Sequence, residues 1–494
     1  MIITPLRPQK MRPVALLAPG FREVTITTTD GVTRHAGANR VHAALKKIED
    51  HVVYVASGLR SLLHTTGAQC WTAEVWRGRA VSMSLDGTNL KVSSLRRTLG
   101  EDEGEEERFS TLLEVLTLLS DQGVKPGSLS SMAWNLWRST LTSPVEIGFN
   151  PQVALEGFFG GRKGSSAPHN YVDQVSVDMK SAYPQAMVSR PLALSLRQVS
   201  ASTVLDPEVS GLARVRVVVP EDLAFAPLPV RLGPDVIQWR HGVVEGVYPW
   251  GEVVAARALG CEVEVLRCWS PLEERDLFSA WWRLVGGARS NASPGAVKIV
   301  KALSNLVWSG FALNGEDSAL VRWLDDFGDE TTMVAKTPVK LPQRSTVHVA
   351  AEISSRVRVR ILLEGLYGDY EPPVHIDTDG IIVSSASAAR RRLVAPPDWR
   401  TKVEMSVCEI KAPQLYRYQC GDRCGRDHSL WHYVASGTPR SQASQLFETH
   451  PGFSISYHGL DMVLPDHART EGNLATWLRA KELVATSVYG PRLA

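Results

Sequence analysis

The chain has 494 residues, 44% hydrophobic and 21% charged, which is the balance of a water-soluble globular protein with about two to four domains. A net charge of only +2 excludes a uniformly basic nucleic-acid coat, and no run of eighteen apolar residues offers a membrane span. Six scattered cysteines fit a reducing compartment rather than a disulfide scaffold. The first residues lack the basic-then-apolar layout of a signal peptide, so the expected location is the cytoplasm.

Residues 1–13 read as a tail. Val24 to Thr29 is β-branched and strand-like, and Asp30-Gly31 makes a turn. Val41 to Ile48 has helical spacing, and His51 to Val55 reads as a buried strand. Glu101 to Glu107 is an acidic run suited to a solvated loop or a helix start. Thr111 to Leu119 and Ser128 to Leu141 repeat apolar residues at helical intervals. Gly157 to Ser166 is a glycine-rich basic connector.

Val175-Ser176-Val177 is a short strand that delivers Asp178 to its end, and Lys180 onward turns into a helix that Pro184 helps begin. Free N–H groups at such a start suit phosphate. Alone, this is equally a strand-end aspartate capping a helix. Ser293-Pro294 starts a helix on which Lys298, Lys301, Asn305 and Trp308 share a face. Val374 to Val383 reads as strand, turn, strand, with Asp377 and Asp379 at the tip. Two like charges so close call for a cation, and Mg²⁺ suits oxygen donors. Alone, the same residues make an ordinary polar turn.

Order and spacing of these segments resemble motifs A, B and C of family B DNA polymerases. The resemblance covers about residues 155–440 and is closest to the compact protein-primed polymerases of phages and mobile elements. It implies Asp178, Asp377 and Asp379 as catalytic, with Asp178, the Met179 carbonyl and Asp379 holding two Mg²⁺ or Mn²⁺ ions. It implies Ser181, Ala182, Tyr183, Lys301, Asn305 and Trp308 against the dNTP, Tyr183 as the filter against a ribose hydroxyl. Phe158-Phe159-Gly160-Gly161 resembles the template-gripping loop before motif A, so Phe158, Gly160, Gly161 and Arg162 are expected on DNA. Thr378 and Tyr416 are expected there too, Tyr416 standing for the Lys-x-Tyr primer motif without its lysine, which Lys411 or Arg417 would replace. This sequence departs from the family at His375 for tyrosine, Gly380 for serine, and Leu306 and Ser309 in motif B.

The implied fold is α/β and α+β in several domains. An RNase H-like N-terminal domain (14–150) is an exonuclease whose acids are lost, since threonines stand in the Val24–Thr29 strand where a D-x-E pair belongs. The palm occupies 151–285 and 346–412, the fingers with an insertion 286–345, and the thumb 413–494. The implied function is DNA-directed DNA synthesis from dNTPs on primed template, without 3′–5′ proofreading, in phage or mobile-element replication inside a bacterial host. Partners are template and primer DNA, dNTPs, a terminal protein or other replication proteins, and no membrane. Primer-independent synthesis, a non-catalytic nucleic-acid-binding scaffold and a metal-dependent nuclease stay open as alternatives. Cys420, Cys424, His428 and His432, spaced four apart, admit a Zn²⁺ site or a chance grouping.

Overall fold

A computed structural model describes residues 2–4, 14–19, 23–36, 38–48, 51–55, 70–76, 79–85, 88–94, 105–127, 129–165, 169–233, 236–312, 317–324, 330–337, 346–367, 371–390, 393, 398–412, 415–421, 430–435, 443–444 and 447–448. The chain forms two compact units, Met1–Ile147 with Asp276–Ser345, and Gly148–Arg275 with Thr346–Leu493. No described helix is long and apolar enough to cross a membrane.

In the first unit the expected strands form as Glu23–Thr28 and Val52–Val55, and the expected helices as Ala38–Lys47, Glu105–Ser120 and Leu129–Ser139. The last part of the acidic run, Glu105 to Glu107, begins the helix Glu105–Ser120. Val52–Val55 pairs in parallel with Val14–Pro19 and with Thr88–Ser94, within a sheet of nine strands. Two of the nine come from the stretch 313–345: Asp317–Leu324 and Glu330–Thr337 form a hairpin, and the former pairs with Cys70–Trp76. The insertion is thus a sheet extension joined by backbone hydrogen bonds. Earlier in sequence, Pro294–Leu306 packs with Glu105–Ser120, Leu129–Ser139 and Ser279–Asn291. Trp137, Phe278 and Phe311 meet edge-on or tilted, and the Trp137 indole donates to the Leu277 carbonyl at 2.7 Å.

The second unit holds an antiparallel sheet of seven strands, in the order Arg162–Ser165, His375–Thr378, Gly380–Ser384, His169–Met179, Trp399–Ala412, Leu415–Cys420, His432–Ala435. The basic connector is therefore corrected in part: its residues 162–165 are an edge strand. Residues 163 and 165 carry no proline and pair with 377 and 375, so the ladder can close. A smaller sheet of four strands, Leu192–Val199, Glu262–Arg275, Leu212–Val219 and Gly242–Pro249, builds an apolar core with Trp250–Ala258.

The helix Val347–Arg360 is buried on nearly every face. Its charged residues survive there by complete pairing. Arg356 meets Glu352 at 2.9 Å and donates to the carbonyls of Ala186, Arg190 and Pro191. Arg358 makes a two-pronged contact with Glu252 at 2.7 and 2.8 Å and donates to the carbonyls of Phe159 and Gly160.

Candidate active site

Five residues occupy one row across the seven-stranded sheet. Lys163 is paired with Asp377, Asp377 with Gly380, Gly380 with Asp178, and Asp178 with Arg400. Directly opposed residues share a face, so these side chains line up cation, anion, glycine, anion, cation. Asp377 and Asp178 lie two strands apart, roughly 10 Å between Cα atoms, and the glycine leaves the space between them open. A Cβ on Gly380 would come within 3.1 Å of the Val177 carbonyl oxygen and 3.3 Å of Asp178 Oδ1. This packing accounts for glycine where the polymerase motif carries serine.

Asp379 enters the row from the turn. Its N–H donates to the Asp377 carbonyl at 2.7 Å across Thr378, whose φ is 62°. An i to i+2 bond over a left-handed, β-branched residue is a strained turn, which neighbours must hold. Gly161 does so: a Cβ there would lie 2.4 Å from Thr378 Cγ2, so only glycine lets the loop press on the turn. The Asp379 carbonyl accepts from the Met179 N–H at 2.8 Å, locking the turn to the residue after Asp178.

Burial, then the charges of Asp178 and Asp377, push the Asp379 carboxyl up to about 7, with Lys402 acting in the opposite sense. Such a group is poised for a cation that would offset the crowding. Two carboxylates and the Met179 carbonyl fit Mg²⁺ or Mn²⁺, both oxygen seekers. No three His, Cys, Asp or Glu side chains among the described residues converge on one cation position, and Asp178 Oδ2 is engaged by Arg400 Nη2 at 2.6 Å.

Tyr183 and Tyr416 border the same carboxylates. The Tyr183 hydroxyl is pushed above its ordinary value by burial and by Asp379 and Asp377, and that of Tyr416 by burial with Cys408, Asp377 and Asp178 contributing. Tyr183 stands in the helix Ala182–Val188, after Ser181 with its left-handed φ of 49°. Tyr416 packs on His375, ring centroids 5.1 Å apart. Burial lowers His375 to about 4, so the imidazole that replaces the family's tyrosine is neutral near pH 7.

Phe158 and Arg162 are buried. Arg162, expected on DNA, donates to the Ala226 carbonyl at 2.9 Å and sits over the rings of Phe225 and Trp239, so its guanidinium lies in the core. Lys411 donates to the Phe447 carbonyl, and Arg417 pairs with Glu409 and Glu448. Among the described residues, Lys163, Lys402 and Arg400 act on the aspartates. No local motif announces these three, because strand register alone brings them in.

Lys301 and Asn305 lie in the first unit, exposed on the helix Pro294–Leu306 with Lys298. The Ser293 hydroxyl caps that helix, accepting from Ala296 N–H while donating to Glu114 at 2.5 Å. Trp308 does not continue their face. The helix stops at Leu306, the chain tightens into a 3₁₀ turn over Trp308–Gly310, and the indole is buried. Of the suggested zinc ligands, Cys424 and His428 lie outside the described residues, and Cys420 is disulfide-bonded and so presents no thiolate.

No protein-family model matches the chain, and no curated relative matches it either. Solved structures do match. Phi29 DNA polymerase complexed with primer-template DNA aligns at TM-score 0.65 and 12% identity over 89% of this chain and 94% of that one. The same enzyme with primer-template DNA and incoming nucleotide substrates aligns at TM-score 0.65 and 11% identity over 88% and 94%. With single-stranded DNA it aligns at 0.62 and 12% over 89% and 94%. The chain has the fold of phi29 DNA polymerase, in agreement with the resemblance carried by its motifs.

Proposed function

We propose that the protein is a DNA-directed DNA polymerase of the protein-primed family B type. The observation behind this is the row Asp377, Gly380, Asp178 with Asp379 locked onto Met179, within the fold of a polymerase whose structures hold primer-template DNA and nucleotides. Asp178, Asp379 and the Met179 carbonyl would hold two Mg²⁺ or Mn²⁺ ions, which when bound supply acidification of a primer 3′-hydroxyl and neutralisation of triphosphate charge. Asp377 supports the turn and adds to the negative field. Tyr183 closes the site against a ribose 2′-hydroxyl. Lys301 and Asn305 bind the triphosphate, Ser181 and Ala182 offer it backbone N–H groups, and Tyr416 with Thr378 holds the primer end.

The N-terminal domain, RNase H-like in this reading, does not proofread. Its strand Glu23–Thr28 carries buried Thr25 and Thr27 where metal-binding acids would be needed. Replication of a phage or mobile element in a bacterial cytoplasm, started on a terminal protein, is the biological setting we infer.

Primer extension with dNTPs and Mg²⁺ tests the proposal. Product is expected from the native protein and a loss of at least a thousandfold from Asp379→Ala. Extension that survives this change would sink the mechanism. Metal-dependent trimming of mismatched 3′ ends would refute the absence of proofreading.

A further inference from the structure

Arg400 is a member of the charged row to which the metal-binding assignment gives no role. It lies on Trp399–Ala412 directly opposite Asp178, and its Nη2 approaches Asp178 Oδ2 to 2.6 Å. The Asp178 side chain is only 11% exposed, so this is a desolvated carboxylate with a charge-assisted bond. The Arg400 side chain is 44% exposed, so its guanidinium can leave for water without disturbing the core. Asp178 is thereby drawn along the row toward the Trp399–Ala412 strand, while Asp379 lies at the turn beyond Gly380.

A divalent ion that binds Asp178 through Oδ2 competes with the guanidinium for that oxygen. Two cations within a few Å of one another in a partly buried site repel strongly. Both cannot stay. We propose that Arg400 is a positioning residue that serves as the resident counter-cation of Asp178 and is displaced when a divalent metal binds. It rests on the assignment of Asp178 as a metal ligand. The arginine holds the carboxylate in place in the metal-free protein, and it weakens metal loading until substrate phosphates add their own oxygens to the site.

Mn²⁺ titration of the full chain without DNA or nucleotide, followed by the electron paramagnetic resonance of free Mn²⁺, tests this directly. Removing a competitor worth one tenfold step should tighten Mn²⁺ binding by Arg400→Gln roughly tenfold relative to the native protein. Arg400→Lys keeps the charge but loses the planar fork, so its affinity should fall between the two. Thermal melts of each variant verify that it is folded. Equal or weaker Mn²⁺ binding by folded Arg400→Gln overturns the proposal, and so does Arg400→Lys binding as tightly as Arg400→Gln. The metal assignment has a separate control: if Asp178→Asn and Asp379→Asn bind Mn²⁺ as tightly as the native protein, that assignment fails whatever Arg400 does.

Discussion

Asp379 sets a conflict that the fold resolves only with a partner. Burial and two neighbouring carboxylates raise its pKa to about 7 from the ordinary 3.8. A carboxyl raised on folding adds stability below its unfolded value and loses it as pH climbs through the folded one. In metal-free protein at pH 8 the ionised group therefore burdens the native state by about 2–4 kcal/mol, less whatever partial solvation returns. Asp379→Asn should raise the metal-free melting temperature at pH 8 by about 5 °C, and by nothing near pH 3, where both forms are neutral. A scanning-calorimetry series over pH checks the sign. An unchanged or lowered melting temperature at pH 8 would contradict it. Gly161 makes a steric counterpart. Because its missing Cβ is where Thr378 Cγ2 sits, Gly161→Ala must move the turn that carries Asp379. We expect a cost of about 1–3 kcal/mol and a larger proportional loss of primer extension than of stability. Gly380→Ala, with its nearest contact at 3.1 Å, should be milder in the melt.

At the scale of elements, the loop Phe158 to Gly161 owes its position to a helix far away in sequence. Arg358 on Val347–Arg360 ties the loop's carbonyls to Glu252, and Arg231 adds a bond to the Phe158 carbonyl at 2.8 Å. Arg358→Ala leaves Glu252 as a buried unpaired charge, which costs about 3–5 kcal/mol. Chemical denaturation should show this, and the double change Glu252→Gln with Arg358→Met should recover part of it; no recovery would mean that the loop carbonyls matter more than the ion pair. The same elements mark what was legible beforehand. Asp178, Asp377, Asp379 and Tyr183 stand in short contiguous motifs, where strand period and turn chemistry fix them locally. The edge strand Arg162–Ser165 read as a connector because glycine and serine have poor strand propensity, and only pairing with His375–Thr378 makes it a strand. Arg400 and Lys163 were invisible for the same reason: their place in the row depends on register across 222 residues between Arg400 and Asp178, and no sequence period reports that. Trp308 misled because helical phase was extended past the helix's real end.

The whole molecule is interleaved. Each compact unit is assembled from separated stretches, Met1–Ile147 with Asp276–Ser345 in one and Gly148–Arg275 with Thr346–Leu493 in the other. This was only partly legible, since local patterns yield elements and not the long-range packing that joins them. The first unit depends on its later stretch for its core. Trp137 is fully buried only because Phe278 and Phe311 close on it and Leu277 accepts its indole N–H. Glu114 is likewise tied to Ser293 by two bonds, and Gly295 lets the later helix press on Thr111. A fragment ending at residue 147 would expose these aromatics and leave a polar indole group unmatched, which favours a loose, associating state over a unique fold. Fragment 1–147 alone should therefore show weak near-ultraviolet dichroism and a broad melt. The same fragment joined to 276–345 by a short flexible linker should melt cooperatively, with ordered tryptophan signals, because the missing face of the core is restored. A sharp melt and strong tryptophan dichroism from 1–147 by itself would show that the later stretch merely decorates a finished domain, and would undo the interleaved assembly described for this unit.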